Sequence, residues 1–297
     1  MERRRIRMRK LVVAMSMCMV LGFGTQVLAD DDARDYIPAP PGTDLMITYF
    51  RHTSSNELKG NGKTLSKDFN LTTNVAIFRV VHFTKLGPYV VDPQILIPAG
   101  EAHLDGAGVG GASLSATGIA DPILAMTAWI VNDPKSKTWF GVTPFLTVPI
   151  GEYDKDRAVN LGANRWALKG EVGYVKGIGE KTYFELIANV EGYTDNKDYT
   201  APGITMKQDA LLTLESHLSY DISKTMYVAG DYYYHNGGET TVAGVKSNDK
   251  QGNHALQASM GFWLSPNHHL LLQYKDWVSV KSGPQSQTFG VRFLYAF

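Results

Sequence analysis

The stretch Gln285–Phe297 (QSQTFGVRFLYAF) sets Phe289, Val291, Phe293, Tyr295 and Phe297 at every second position, with Thr288, Gly290, Arg292, Leu294 and Ala296 between them. Successive side chains of a strand point to opposite faces, so this segment has one apolar face and one smaller, partly polar face. A strand of a soluble sandwich shows the same alternation. It rarely ends a chain on an aromatic residue with no polar tail behind it.

The same period recurs along the chain. Alternating segments are predicted over Thr43–His52, Phe69–Phe83, Leu86–Pro98, Thr117–Val131, Lys137–Ile150 and Asn164–Lys176. Six more follow: Lys181–Thr194, Lys207–Tyr220, Thr225–His235, Asn253–Leu264, His268–Val280 and Gln285–Phe297. Strands of about 10 to 15 residues are long enough to cross a bilayer at a tilt. Long connections (Asn56–Lys67, Ala99–Ala116, Gly151–Ala163, Asp195–Met206, Asn236–Gly252) alternate with short turns such as Asn132–Ser136 and Ser265–Asn267. A sandwich has no reason to sort its connections in this way. A membrane barrel does, with long loops outside and short turns in the periplasm. Twelve is even, so both ends of the mature chain are expected on the periplasmic side.

Met1–Ala29 has the form of a secretory leader. Arg3, Arg4, Arg5, Arg7, Arg9 and Lys10 precede the apolar run Leu11–Phe23, and Val27-Leu28-Ala29 offers a cut before Asp30. That run is shorter than the roughly 20 residues of a spanning helix. Cys18, the single cysteine, lies within it, so the mature chain has no disulfide, thiolate metal site or cysteine nucleophile. Without the leader the chain carries 23 basic and 28 acidic residues, a net charge of −5, and nothing points to a nucleic-acid partner. Beyond the leader no apolar run reaches helix-spanning length, and the mean hydropathy is −0.16. A membrane protein of this composition must span as a barrel. The expected architecture is a single antiparallel, all-β, up-and-down barrel over residues 43–297. Residues 30–42, acidic and then Pro-rich, form a lead-in that either plugs the periplasmic side or trails as a tail.

A cationic side chain facing lipid at mid-membrane costs roughly 2–4 kcal/mol, so the charged faces are expected to line the lumen. Those faces carry Arg165, Lys169 and Glu171 on the sixth segment and Glu185, Asn189 and Glu191 on the seventh. Glu215 and His217 follow on the eighth, Asp231 on the ninth, Gln273 and Lys275 on the eleventh and Arg292 on the last. They either form a polar path for a solute or fill a narrow barrel with ion pairs. Twelve strands lie between eight, which side chains nearly fill, and sixteen, which leave an aqueous pore. Pro88, Pro93, Pro98, Pro122, Pro144 and Pro149 fall in three adjacent segments and remove ladder donors there. One wall is therefore expected to be weakly paired, with a lateral or constricted opening, unless those prolines sit at strand ends and bulges.

The closing strand, aromatic at Phe293, Tyr295 and Phe297, resembles that of bacterial outer-membrane barrels. The resemblance implies that these residues are read by the barrel-insertion machinery. Gly118–Pro122 (GIADP), Thr143–Asp154 (TPFLTVPIGEYD), Asn160–Tyr174 (NLGANRWALKGEVGY), Lys207–Ser223 and Gly237–Asp249 are similar to an outer-membrane family described as putative proteins of phenol meta-cleavage degradation. This resemblance spans about Arg34 to Phe297. It implies a transporter-like barrel in the outer membrane of a Gram-negative bacterium, taking up small hydrophobic or aromatic compounds, and it assigns no binding residue. The partners so implied are outer-membrane lipid, the insertion machinery and the solute. No cofactor or metal is expected, and the oligomeric state is left open. The rivals are a structural or adhesin-like barrel and an outer-membrane hydrolase. Against the hydrolase, the sequence has no GxSxG or HExxH, and its histidines are scattered, with His268-His269 at a turn.

Overall fold

A computed structural model describes residues 30–200 and 203–297; the leader Met1–Ala29 lies outside the described residues. Twelve strands form the wall: β1 (Asp44–Gly60), β2 (Asn70–His82), β3 (Tyr89–Asp105), β4 (Ile123–Asp133), β5 (Thr138–Thr147) and β6 (Ala167–Ile178). They continue as β7 (Thr182–Tyr193), β8 (Leu211–Asp221), β9 (Met226–Gly237), β10 (Gln251–Ser265), β11 (His268–Ser279) and β12 (Gly283–Ala296). Each pairs antiparallel with the next, and β1 pairs with β12 from Leu45↔Ala296 to Lys59↔Gly283. The sheet is therefore a closed cylinder. Closure is what lets strands rather than helices stand in hydrocarbon, because it leaves no sheet edge with a row of unpaired donors.

Alternation decides which face looks in. On β7, Glu185, Ile187 and Asn189 are buried while Leu186 and Val190 are exposed; on β12, Arg292 is buried between exposed Phe289, Phe293 and Tyr295. The outside is an apolar wall for lipid. The interior is not polar throughout. Near the end where β1 begins and β12 finishes it holds an apolar cluster including Ile47, Tyr49, Ile77, Trp129, Trp139 and Val175.

Several boundaries differ from those expected. β1 runs on to Gly60, and Lys63–Ser66 folds back on it. Ala99–Asp105, expected as loop, is strand: Ala102 and Leu104 are buried between exposed Glu101 and His103, and the β2 ladder continues to Asn70↔Asp105. Polar residues on the outward face concealed that alternation. The expected fourth segment is two pieces, Leu114–Ile119 against the upper half of β3 and β4 against its lower half. Met206–Gln208 leaves the eighth strand to join Thr240–Val242 and Val245–Lys246 in a small separate sheet. The β11–β12 connection, at the long-loop end, is short, so the sorting of connections has one exception.

The prolines do mark an interrupted wall. The β2–β3 ladder is unbroken, with Pro98 opposite Ile77. The β4–β5 ladder skips from Ala125↔Phe145 to Ala128↔Val142, passing over Pro144, and shifts register between Trp129 and Val131. Between Ile119 and Ile123 the strand stops at Pro122, which has no N–H to give. Asp121 closes this break: its carboxylate accepts from the Gly151 N–H at 2.8 Å and the Ala163 N–H at 2.7 Å. The Glu152 N–H donates to the Ile119 carbonyl at 2.7 Å. Gly118, at φ +152, tolerates this packing because a Cβ there would strike Glu152.

Closure has a direct test. The Thr53 and Thr288 hydroxyls meet at 2.9 Å across the β1–β12 seam. Thr53→Cys with Thr288→Cys, in a mature chain otherwise free of cysteine, should cross-link on mild oxidation of the folded protein. A folded barrel that leaves both thiols free would contradict the seam.

Candidate functional site

The lumen is occupied by the chain's own residues 30–39, which run inside the barrel and are held by side chains from most of its strands. Asp30 binds Lys275 Nζ of β11 at 2.8 Å and His235 Nε2 of β9 at 3.0 Å. The Asp31 N–H donates to Glu215 of β8 at 3.1 Å, and the Tyr233 hydroxyl donates to the Asp31 carbonyl at 3.0 Å. Arg292 of β12 bridges Asp32 at 3.0 Å and Asp35 at 2.7 Å, and Gln273 donates to Asp32. Arg34 donates its N–H to Glu185 at 2.7 Å, pairs with Asp221 at 2.8 Å and lies 4.0 Å from the Tyr227 ring centre. The Tyr36 hydroxyl reaches Thr143 and Glu171, each at 2.8 Å, while its carbonyl accepts from Trp129 Nε1 at 2.9 Å.

The seat for Tyr36 is carved from the wall. A Cβ on Gly173 of β6 would lie 2.4 Å from the Tyr36 ring, and one on Gly141 of β5 would lie 3.0 Å from it. Two glycines on facing strands therefore make the recess that this ring fills. That fit distinguishes a built segment from a tail resting in a pore.

The twelve residues expected to line the lumen are all buried, and they fall into groups. Lys169 pairs with Glu171 at 2.8 Å, and Asn189 donates to Glu171 at 3.0 Å. His217 lies between Asp231 at 2.9 Å and Glu215 at 3.5 Å, while Gln257 and Ser259 also donate to Asp231. Glu185, Glu215, Gln273, Lys275 and Arg292 hold the plug segment directly. Arg165 stands apart. It precedes β6, faces Gln208 and Met206 near the small outer sheet and packs 4.3 Å over the Tyr193 ring, whose hydroxyl donates to Glu191. Phe293, Tyr295 and Phe297 all face outward, with Tyr295 and Phe297 stacked at 5.4 Å.

Sequence reasoning missed Asp30, Asp32, Arg34, Asp35 and Tyr36 as site residues, and Arg79 with them, which pairs with Asp35 at 3.5 Å. A signal was available. Lys275 and Arg292 are inward cations whose ladder neighbours offer no carboxylate: Lys275 faces Gln257 and Thr288, and Arg292 faces Leu271 and Tyr49. A buried charge needs a partner, and the acidic lead-in was the unassigned supply.

Two chambers lie beside the plug, each of about 50 Å³. The lining of one includes the apolar residues Tyr49, Ile77, Leu96, Ile123 and Phe145. It also includes the acids Asp30, Asp31, Asp32, Asp35, Asp121 and Glu191 and the cations Arg51, Arg79 and Lys169. The other is lined by amides and hydroxyls, including Gln251, Asn253, Gln257 and Thr288, beside Trp277. Spaces of this size hold a few waters and no solute. Among the described residues no group of His, Cys, Asp or Glu could hold a metal ion.

A family profile described as Putative MetA-pathway of phenol degradation matches residues 54–293. The chain is 26% identical to the COG4313 outer membrane channel from Pseudomonas putida F1, with a TM-score of 0.86 over 90% of this chain and 100% of that one. The beta domain of the Bordetella autotransporter BrkA is 11% identical, with a TM-score of 0.55 over 87% of this chain and 100% of that one. The transport unit of the autotransporter AIDA-I from Escherichia coli is 10% identical, with a TM-score of 0.52 over 96% and 97%. These last two share the fold alone. No protein of curated function matches the chain.

Truncating one partner of a buried ion pair costs about 3–5 kcal/mol. Arg292→Ala should therefore favour the unseated plug by at least about a hundredfold. Gly173→Leu, which fills the Tyr36 recess, should do the same. Both should raise the open time of single channels while the barrel keeps its heat-modifiable mobility. Unchanged closure in both variants would contradict the seat.

Proposed function

The chain belongs to the Putative MetA-pathway of phenol degradation family, and on that premise we propose that it is an outer-membrane channel, closed at rest by its own residues 30–39. Its solutes are small hydrophobic or aromatic molecules passing inward to the periplasm, with the long loops outside, the C-terminus at the periplasmic end and residue 30 inside the lumen. The similarity to the COG4313 outer membrane channel from Pseudomonas putida F1 supports the channel reading. The observation that carries the solute class is the first chamber: once residues 30–39 leave, Tyr49, Ile77, Leu96, Ile123 and Phe145 line a surface on which a flat apolar molecule can stack, and the cations Arg51, Arg79 and Lys169 stand against the carboxylates Asp121 and Glu191. That wall carries no excess of negative charge, so aromatic carboxylates are admitted as well as neutral aromatics. Phe293, Tyr295 and Phe297 at the closing strand serve the insertion machinery.

The filled lumen gives weight to one rival, a barrel that transports nothing. Planar-bilayer recording separates the two. The full mature chain should show brief, small openings, and the chain lacking residues 30–39 should show persistent openings of several-fold higher conductance. Phenol and benzoate should both block its current. A plug-free barrel that conducts nothing would establish the rival, while a current that neither compound blocks would overturn the solute class alone.

A further inference from the structure

Residue 30 is fixed more firmly than the end of an extended segment needs. Lys275 and His235 hold its side chain, and the next residue is held through its N–H by Glu215 and through its carbonyl by Tyr233. Backbone nitrogens of consecutive residues lie no farther apart than the roughly 3.8 Å Cα spacing, and the Asp31 nitrogen is 3.1 Å from Glu215 Oε2, so the Asp30 nitrogen lies within about 7 Å of that oxygen. Two oxygens in this part of the lumen lack a donor: Glu215 Oε1 and Asp31 Oδ2, with Glu215 only 2% exposed. A buried carboxylate oxygen left without a donor is costly, and so is a buried ammonium left without a counter-charge. Each would relieve the other.

Within an uncut chain the Asp30 nitrogen is an amide with one N–H and no charge. Hydrolysis of the Ala29–Asp30 peptide bond by a leader peptidase consumes one water, leaves a carboxylate on Ala29 and leaves an ammonium on Asp30. We propose that the lumen contains a binding site for this new α-ammonium, formed by the Glu215 and Asp31 carboxylates, so that leader removal at this bond completes and locks the plug. The inference rests on the closed-plug reading and on the leader assignment. It makes the position of the cut part of the channel's closed state: a chain cut one residue earlier would present its ammonium out of register with Glu215.

The test uses the full mature chain. N-terminal sequencing of protein extracted from the outer membrane should read Asp30 first, and another first residue overturns the proposal. In the folded protein the α-amine should react with an α-amine-selective aldehyde at least about tenfold more slowly than in the urea-unfolded chain, a tenfold rate corresponding to about 1.4 kcal/mol. Glu215→Gln should remove most of that protection. Ala33→Cys then supplies the single thiol of the mature chain, within the plug. Its labelling by a maleimide should accelerate by a similar factor when one alanine is inserted before Asp30 or when Glu215→Gln is introduced, with no further gain from both together. An amine equally reactive folded and unfolded, or independent effects of the two changes, overturns the proposal. Neither readout depends on conduction, so a barrel that passes no solute would sink the channel reading and leave this one standing.

Discussion

A backbone donor facing hydrocarbon has no water to turn to, and that single constraint shapes this protein. The seam between β1 and β12 answers it, because a sheet with a free edge could not be stored in a membrane. The apolar outer face, the alternation and the length of the strands follow from the same requirement. The wall that Pro122 and Pro144 interrupt shows how strictly it is met. Where Pro122 ends a strand, the Asp121 carboxylate and the segment after β5 take over the unpaired backbone groups.

Inside the cylinder the governing constraint is charge. A narrow lumen keeps little water, so each inward carboxylate or cation needs a partner. The wall does not balance itself. Lys275 and Arg292 find their acids on residues 30–35, while the Arg34 guanidinium answers Asp221 and its backbone N–H answers Glu185. Plug and wall are thus two halves of one ionic structure, and the recess made by Gly173 and Gly141 fixes their relative position through Tyr36.

Much of the fold could be read from period alone, since twelve alternating segments became twelve strands. Errors arose where period is ambiguous. Glu101 and His103 on the outer face of β3 look like loop residues, yet they lie at the long-loop end, beyond the apolar outer positions of that strand. Met206–Gln208 alternates with the strand it precedes and still pairs elsewhere, because pairing partners are a tertiary matter. The inner faces were legible because charge is excluded from lipid. The plug's contacts were not, since they join residues as far apart as Asp32 and Arg292, and no local pattern encodes such a pairing.

Whether residues 30–39 lie inside the barrel is tested directly by one cross-link. The Tyr36 ring lies against Gly173 closely enough for the two Cβ positions to meet disulfide geometry, about 3.5–4.5 Å apart. Tyr36→Cys with Gly173→Cys should form an intramolecular disulfide in the folded, membrane-embedded protein, detected as a 2 Da mass loss that thiol reduction restores. A correctly folded barrel in which the two thiols stay reduced and freely labelled would show that the segment lies elsewhere.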